Sequence, residues 1–184
     1  MPKKLLLLDR DGTVTRNIRK DGDYILSPDD LGLMPGILPK LEQYANDGWC
    51  IAMASNQDHI EEGLISMDAA INTFYRTFKL TRYLIQAAWF CPATGASNKG
   101  SIAFRLTMPH GPVTWNSCKT YNNYGYRKPC PGMALAAMAW FGVKPENCLY
   151  VGDRLEDKNM AGFAGIRFVH IDRFVEGDFD EVNN

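Results

Sequence analysis

Asp9 and Asp11 stand one residue apart, followed at once by Gly12 and Thr13 and preceded by four consecutive leucines, Leu5–Leu8. Two carboxylates held this close repel each other unless a cation or a reaction requires both. Further polar groups recur beside apolar runs. Ser55 and Asn56 follow Trp49–Ala54, Arg127 and Lys128 precede Pro131–Phe141, and Asp153 follows Cys148–Val151, with Asp157 four residues later. Three carboxylates, a hydroxyl and a lysine gathered in one cleft suit a hard cation and an anionic substrate. Mg²⁺ in particular takes few carboxylates and keeps its other positions for water and phosphate oxygens.

The elements that would gather these residues alternate between strand and helix. Leu5–Leu8 is a short apolar run bounded by a turn, the pattern of a strand buried on both faces of a parallel sheet. Similar runs at 49–54, 87–91, 148–151 and 167–171 make about five strands. Between them lie helices: one opened by Pro35-Gly36 and closed near Gly48, one over 67–84, one over 131–141 closed by Gly142, and one near 157–164. The fold class is α/β, a Rossmann-like parallel sheet flanked by helices, in which polar strand ends collect at one edge. Residues 1–184 read as one domain. Residues 95–126, rich in Gly, Asn, Ser, Thr and aromatics, read as a loop insertion with a hairpin near Ser101–Leu106. After Arg173 the acidic tail reads as frayed, with Phe174 and Phe179 able to dock it.

Composition narrows the function classes. The chain has 184 residues, of which 46% are hydrophobic and 22% charged, with a net charge of −1. No basic surplus points to nucleic acid, and no apolar stretch reaches the ~20 residues of a membrane span. Met1–Leu5 runs into only four leucines and then Asp9, too short for a signal peptide. The expectation is a cytoplasmic monomer with reduced thiols, since the five cysteines are odd in number and scattered.

The order Asp9-Arg10-Asp11-Gly12-Thr13, then Ser55-Asn56-Gln57, then Arg127-Lys128-Pro129, then Gly152-Asp153-Arg154 with Asp157 resembles the four motifs of the haloacid dehalogenase (HAD) superfamily of phosphatases. Together with Asp21-Gly22-Asp23-Tyr24, these motifs are most similar to the branch of histidinol-phosphatases and D,D-heptose 1,7-bisphosphate phosphatases. The polynucleotide 3′-phosphatase domain is more distant. The resemblance implies Asp9 as a nucleophile that forms an aspartyl-phosphate and Asp11 as general acid and then base. It implies Ser55 and Lys128 on the transferring phosphoryl group, and Asn56 and Arg127 on substrate. Mg²⁺ would be held by Asp9, Asp11 (through its main-chain carbonyl) and Asp153, with Asp157 behind them. Taken singly, each residue has a plainer reading: Asp9-x-Asp11-Gly12 as a tight turn, Ser55 as a strand end, Lys128 as a surface charge, Asp157 as a helix-start acid.

The chain departs from this branch in two places. A zinc loop usually present there would need Cys-x-His and Cys-x-Cys. Here Cys91-Pro92-Ala93 keeps one ligand and Tyr124-Gly125-Tyr126 replaces the cysteine pair. Zinc needs four ligands, and His110, Cys118 and Cys130 are ordinary residues on this reading. Phe104, Trp115, Tyr121, Tyr124 and Tyr126 would then support the insertion as a small satellite core. Second, Asp58-His59-Ile60-Glu61-Glu62 follows Gln57, so Glu62 stands where a cation is expected and repels a second phosphate. Residues 15–30 are too few for more than a flap, so no large cap domain is expected. The function expected is Mg²⁺-dependent hydrolysis of a small phosphorylated metabolite, a sugar phosphate or histidinol phosphate. A nucleic-acid 3′ end is the alternative substrate, and a non-catalytic binding module on the same fold is the alternative from outside enzymology.

Overall fold

A computed structural model describes residues 2–19, 24–93, 103–107, 111–115 (main chain) and 125–178. A seven-stranded sheet has the order β7-β6-β5-β4-β1-β8-β9. Its strands are β1 (Leu5–Leu8), β4 (Cys50–Asn56), β5 (Ala87–Cys91), β6 (Ala103–Thr107), β7 (Gly111–Trp115), β8 (Cys148–Gly152) and β9 (Arg167–His170). β5, β4, β1, β8 and β9 run parallel. These are the five strands the sequence leads one to expect. β6 and β7 add an antiparallel hairpin to the β5 edge. The described part of that hairpin overlaps the expected Ser101–Leu106, and much of the remaining insertion, with His110, Cys118, Tyr121 and Tyr124, lies outside the described residues.

The four leucines of β1 are fully buried and alternate between two cores. Leu5 and Leu7 face α3 (Gly132–Phe141) and α4 (Leu155–Ala164) through Met133, Ala137, Met160 and Ala161. Leu6 and Leu8 face α1 (Ile37–Asn46) and α2 (Met67–Leu80) through Ile37, Leu41, Phe74 and Phe78. Each leucine so buried contributes roughly 2 kcal/mol. This double burial is why β1 reads as an unbroken apolar run.

Two boundaries shift from expectation. α2 ends at Leu80 because Arg82 and Tyr83 take positive φ (53° and 59°), turning the chain sharply into β5. The segment after Arg173 is ordered rather than frayed over its first turn. α5 spans Ile171–Glu176, and Phe174 is fully buried with its ring 5.3 Å from that of Tyr44 on α1. Burying one aromatic outweighs the local acidity; Phe179 lies outside the described residues.

β1 pairs with β4 on one side and β8 on the other, so the chain reverses its winding direction at β1. The carboxyl ends of strands at such a switch point are where open α/β sheets bind ligands. Beside that edge, β2 (Thr15–Asn17) and β3 (Leu31–Leu33) form a two-stranded flap.

Candidate active site

A cavity of about 530 Å³ opens at the carboxyl ends of β1, β4 and β8. Asp9, Asp11, Ser55, Asn56, Arg127 and Lys128 all line it. β1 ends at Leu8, which places Asp9 at its floor; the turn that follows carries Asp11 onto the wall.

Asp9 and Lys128 are both nearly inaccessible, and the Lys128 Nζ lies 2.7 Å from Asp9 Oδ1 and 2.7 Å from Asp157 Oδ1. Tyr150, on β8, donates to the same Asp157 oxygen at 3.0 Å and lies 3.5 Å from Lys128 Nζ. The second Asp157 oxygen accepts from the Arg154 main-chain N–H at 3.1 Å, so both its oxygens are engaged. Asp9 differs: its Oδ1 touches Lys128 as an ion pair but is not aligned with any hydrogen-bond donor among the described residues. Burial pushes the Asp9 carboxyl up to about 7, against the downward pull of Lys128. For Lys128, burial alone would lower the ammonium, but Asp9 and Asp157 outweigh it and raise the value.

Asp9, Asp153 and Asp157 offer carboxylate oxygens all within 4.8 Å of one another. Burial and the neighbouring Asp157 charge push Asp153 upward as well. The donor set fits a hard cation. Asp9 has an oxygen without an aligned donor among the described residues, and the Asp153 side chain has only long contacts with neighbouring side chains, to Thr13 Oγ1 at 3.5 Å and Arg154 Nε at 3.8 Å among the described residues. Asp157, fully engaged, fits a positioning part instead. Two glycines make the cluster possible. Gly12 has φ +86°, and a Cβ there would lie 2.4 Å from Asp153 Oδ2. At Gly152 a Cβ would lie 2.5 Å from the Asp157 side chain.

Asp11 sits in a different electrostatic setting. Its carboxylate accepts from Arg10 Nε (2.9 Å) and Nη2 (2.7 Å), from Gln57 Nε2 (2.9 Å) and from Thr15 Oγ1 (3.2 Å). Burial by itself would raise this group, but Arg10, with help from Gln57 and Thr15, holds it below its ordinary range. Ser55 is buried, accepts from Gln57 Nε2 at 3.0 Å and donates to the Asn56 carbonyl at 3.2 Å.

Asn56 and Arg127 are placed at the cleft, but with protein partners. The Asn56 amide clamps the Lys128 main chain, its Nδ2 donating to the carbonyl at 3.1 Å and its Oδ1 accepting from the N–H at 2.9 Å. Arg127 directs its fork at Asp58, through Nε at 3.1 Å and through Nη2, and the ion pair raises its guanidinium further. At the mouth, His59 Nδ1 meets Glu62 Oε2 at 2.8 Å, and the ring of Tyr24 packs edge-on against that of His59 at 4.2 Å. Arg10, Gln57, Tyr150 and Asp58 were not singled out from sequence. Arg10 and Gln57 lie inside quoted motifs, whereas Tyr150 on an all-apolar strand carries no signal of its own. Of the candidate zinc ligands, Cys91 is buried and Cys130 half-buried. No helix among the described residues is long and apolar enough to cross a membrane.

A family model described as HAD-hydrolase-like matches residues 125–175, the segment from Gly125 through α5. The D-glycero-β-D-manno-heptose-1,7-bisphosphate 7-phosphatase of Bordetella bronchiseptica is 30% identical over 163 residues, covering 88% of this chain and 76% of that one. The D-glycero-D-manno-heptose-1,7-bisphosphate 7-phosphatase of Thermosynechococcus vestitus is 27% identical over 192 residues, covering 100% of this chain and 88% of its own. The crystal structure of D,D-heptose 1,7-bisphosphate phosphatase from B. bronchiseptica, complexed with magnesium and phosphate, superposes with a TM-score of 0.68 at 22% identity, covering 96% of this chain and 87% of that one.

Proposed function

The chain belongs to the haloacid dehalogenase-like phosphatases, and we propose that it hydrolyses a small sugar phosphate through an aspartyl-phosphate on Asp9, with Mg²⁺ as cofactor. The observation that carries this reading is the Asp9 carboxylate: at the cavity floor, in ion-pair contact with Lys128, and within 4.8 Å of carboxylate oxygens of Asp153 and Asp157. An ionised carboxylate placed there is a nucleophile that needs no activating base.

Asp9, Asp153 and the main-chain carbonyl of Asp11 would hold the Mg²⁺. Bound there, the ion would offset the negative charge shared by Asp9 and the incoming phosphate. Asp9 attacks phosphorus, and the bond to the leaving oxygen breaks. Lys128 balances charge on Asp9 and on the transferring phosphoryl oxygens, while Asp157 and Tyr150 fix the ammonium in place. Ser55 contributes a hydroxyl to the phosphoryl group. Asp11 protonates the leaving oxygen and then takes a proton from the water that attacks phosphorus, as the bond between phosphorus and the Asp9 oxygen breaks and phosphate departs. The ionised resting form of Asp11 is the base of the second half-reaction. A phosphate dianion docking beside it raises its proton affinity and so favours the acid form in the first.

The relatives' names specify a heptose bisphosphate. The substrate class proposed here is a sugar phosphate, with the number of phosphates set by the mouth, where Glu62 opposes a second one. A panel of heptose 1,7-bisphosphate, sugar monophosphates, histidinol phosphate and 3′-phosphorylated oligonucleotides, run with Mg²⁺ and with EDTA, tests the assignment. A sugar phosphate is expected to be the fastest substrate, with activity lost in EDTA. Asp9→Asn is expected to abolish turnover of every substrate and of p-nitrophenyl phosphate. Full turnover by that variant would refute the nucleophile.

A further inference from the structure

Arg10 is 1% exposed, although guanidinium groups are almost never buried so completely without a reason. Four contacts satisfy it. Nε and Nη2 form a two-pronged bond to the Asp11 carboxylate, Nη2 also reaches Gln57 Oε1 at 3.0 Å, and Nη1 donates to Thr73 Oγ1 at 2.5 Å. The guanidinium lies over the Phe74 ring, 4.3 Å from its centroid. Thr73 and Phe74 both belong to α2, so the base of the arginine is bolted to a helix. Thr73 in turn donates to the Ala70 carbonyl at 2.6 Å, which fixes the hydroxyl.

The other end of this pair is only half-buried. The Asp11 side chain keeps 33% of its exposure and faces the cavity. Gln57 closes a three-membered ring, accepting from Arg10 and donating to Asp11, and the same amide nitrogen reaches Ser55 Oγ. A buried ion pair is weak support for stability, because desolvation offsets most of the attraction. Two parallel N–H···O bonds, by contrast, fix the plane and direction of a carboxylate, which a lysine cannot do.

We infer that Arg10, seated on α2 and braced by Gln57, is a positioning residue that aims the Asp11 carboxyl at the leaving-group oxygen and ties its direction to that of Ser55. The inference rests on the acid–base part given to Asp11 above. It concerns the transfer of one proton: the O–H bond of Asp11 breaks as the proton passes to the oxygen leaving phosphorus. An arrangement that aims this carboxyl matters where the leaving group must be protonated and matters little where it departs unaided.

The test compares an alkyl phosphate, the sugar phosphate turned over fastest, with p-nitrophenyl phosphate, whose nitrophenolate leaves without a proton. General acid catalysis contributes about 10²–10⁴-fold, so in single turnover Arg10→Lys is expected to slow phosphorylation of Asp9, the half-reaction in which the leaving group departs, about 100-fold with the sugar phosphate and less than about 10-fold with p-nitrophenyl phosphate, whereas hydrolysis of the aspartyl-phosphate, common to both substrates, slows equally. Gln57→Met is expected to move the ratio the same way by a smaller factor, and it decides the matter if Arg10→Lys does not fold. Asp11→Asn should give the largest ratio of all. Equal losses in the phosphorylation half-reaction on the two substrates, or losses confined to KM, would overturn the inference. Asp9→Asn, inactive on both, separates a failure of this inference from a failure of the phosphatase reading.

Discussion

Burial holds the Asp9 carboxyl at a cost in its ionised form. Its carboxyl titrates near 7 when folded against an ordinary value of 3.8. The folded state therefore binds this proton more tightly than the unfolded state. The stabilisation it contributes is complete below about 3.8 and is lost as the pH rises through about 7. In EDTA, the melting temperature is expected to fall between pH 5 and pH 8, and Asp9→Asn should flatten that fall; parallel slopes for the two proteins would count against it. Added Mg²⁺ should raise the melting temperature more at pH 8 than at pH 5. Lys128→Met is a harsher change, because it leaves Asp9 and Asp157 buried without their shared cation. A loss of about 3–5 kcal/mol in urea unfolding is expected, as for removal of one partner from a buried pair, together with loss of turnover. At this scale the sequence was legible where chemistry needs particular residue types in a particular order: Asp9, Asp11, Ser55, Lys128 and Asp153 all come to one edge. Partner choice was not legible. Whether Arg127 faces a ligand or Asp58, and whether Asn56 faces the cleft or the Lys128 main chain, depends on distances that no spacing encodes.

Elements set these positions through backbone shape. The turn after β1 must pass Asp153 closely, and Gly12 provides both the positive φ and the missing Cβ. Gly12→Ala is expected to leave the fold intact and weaken Mg²⁺ binding about 10–100-fold, the usual effect of disturbing groups that support metal ligands. Titration of Mg²⁺ against activity measures it, and unchanged affinity would show that the close approach is not needed. The strands and helices were readable because each buries a continuous run or stripe: Leu5–Leu8 between two helical layers, and Phe74 and Phe78 one turn apart on α2. Two features were not. α5 forms because Phe174 finds a pocket against Tyr44, a tertiary contact that the acidic composition around it masks. The other is the return strand of the hairpin: β7 lies beyond the expected Ser101–Leu106 and carries Pro112, which weakens any strand reading.

For the molecule as a whole, the reversal of winding at β1 concentrates the chemistry, and the charges around the mouth select what enters. Glu62, braced by His59, faces the same cavity as Asp9. Glu62→Gln is expected to raise kcat/KM for a sugar bisphosphate about 5-fold at low salt, with a smaller gain at high salt where such charges are screened, and to change a monophosphate little. An equal effect on both substrates would remove Glu62 from the choice. The clamp of Asn56 on the Lys128 main chain has a consequence for how the lysine is placed. Lys128 comes after a long insertion, yet its register is set by β4 and not by the length of chain that delivers it. The lysine is addressed in space rather than by count. The position of the ammonium is thereby tied to the end of β4, next to Ser55, rather than to the chain that precedes Gly125.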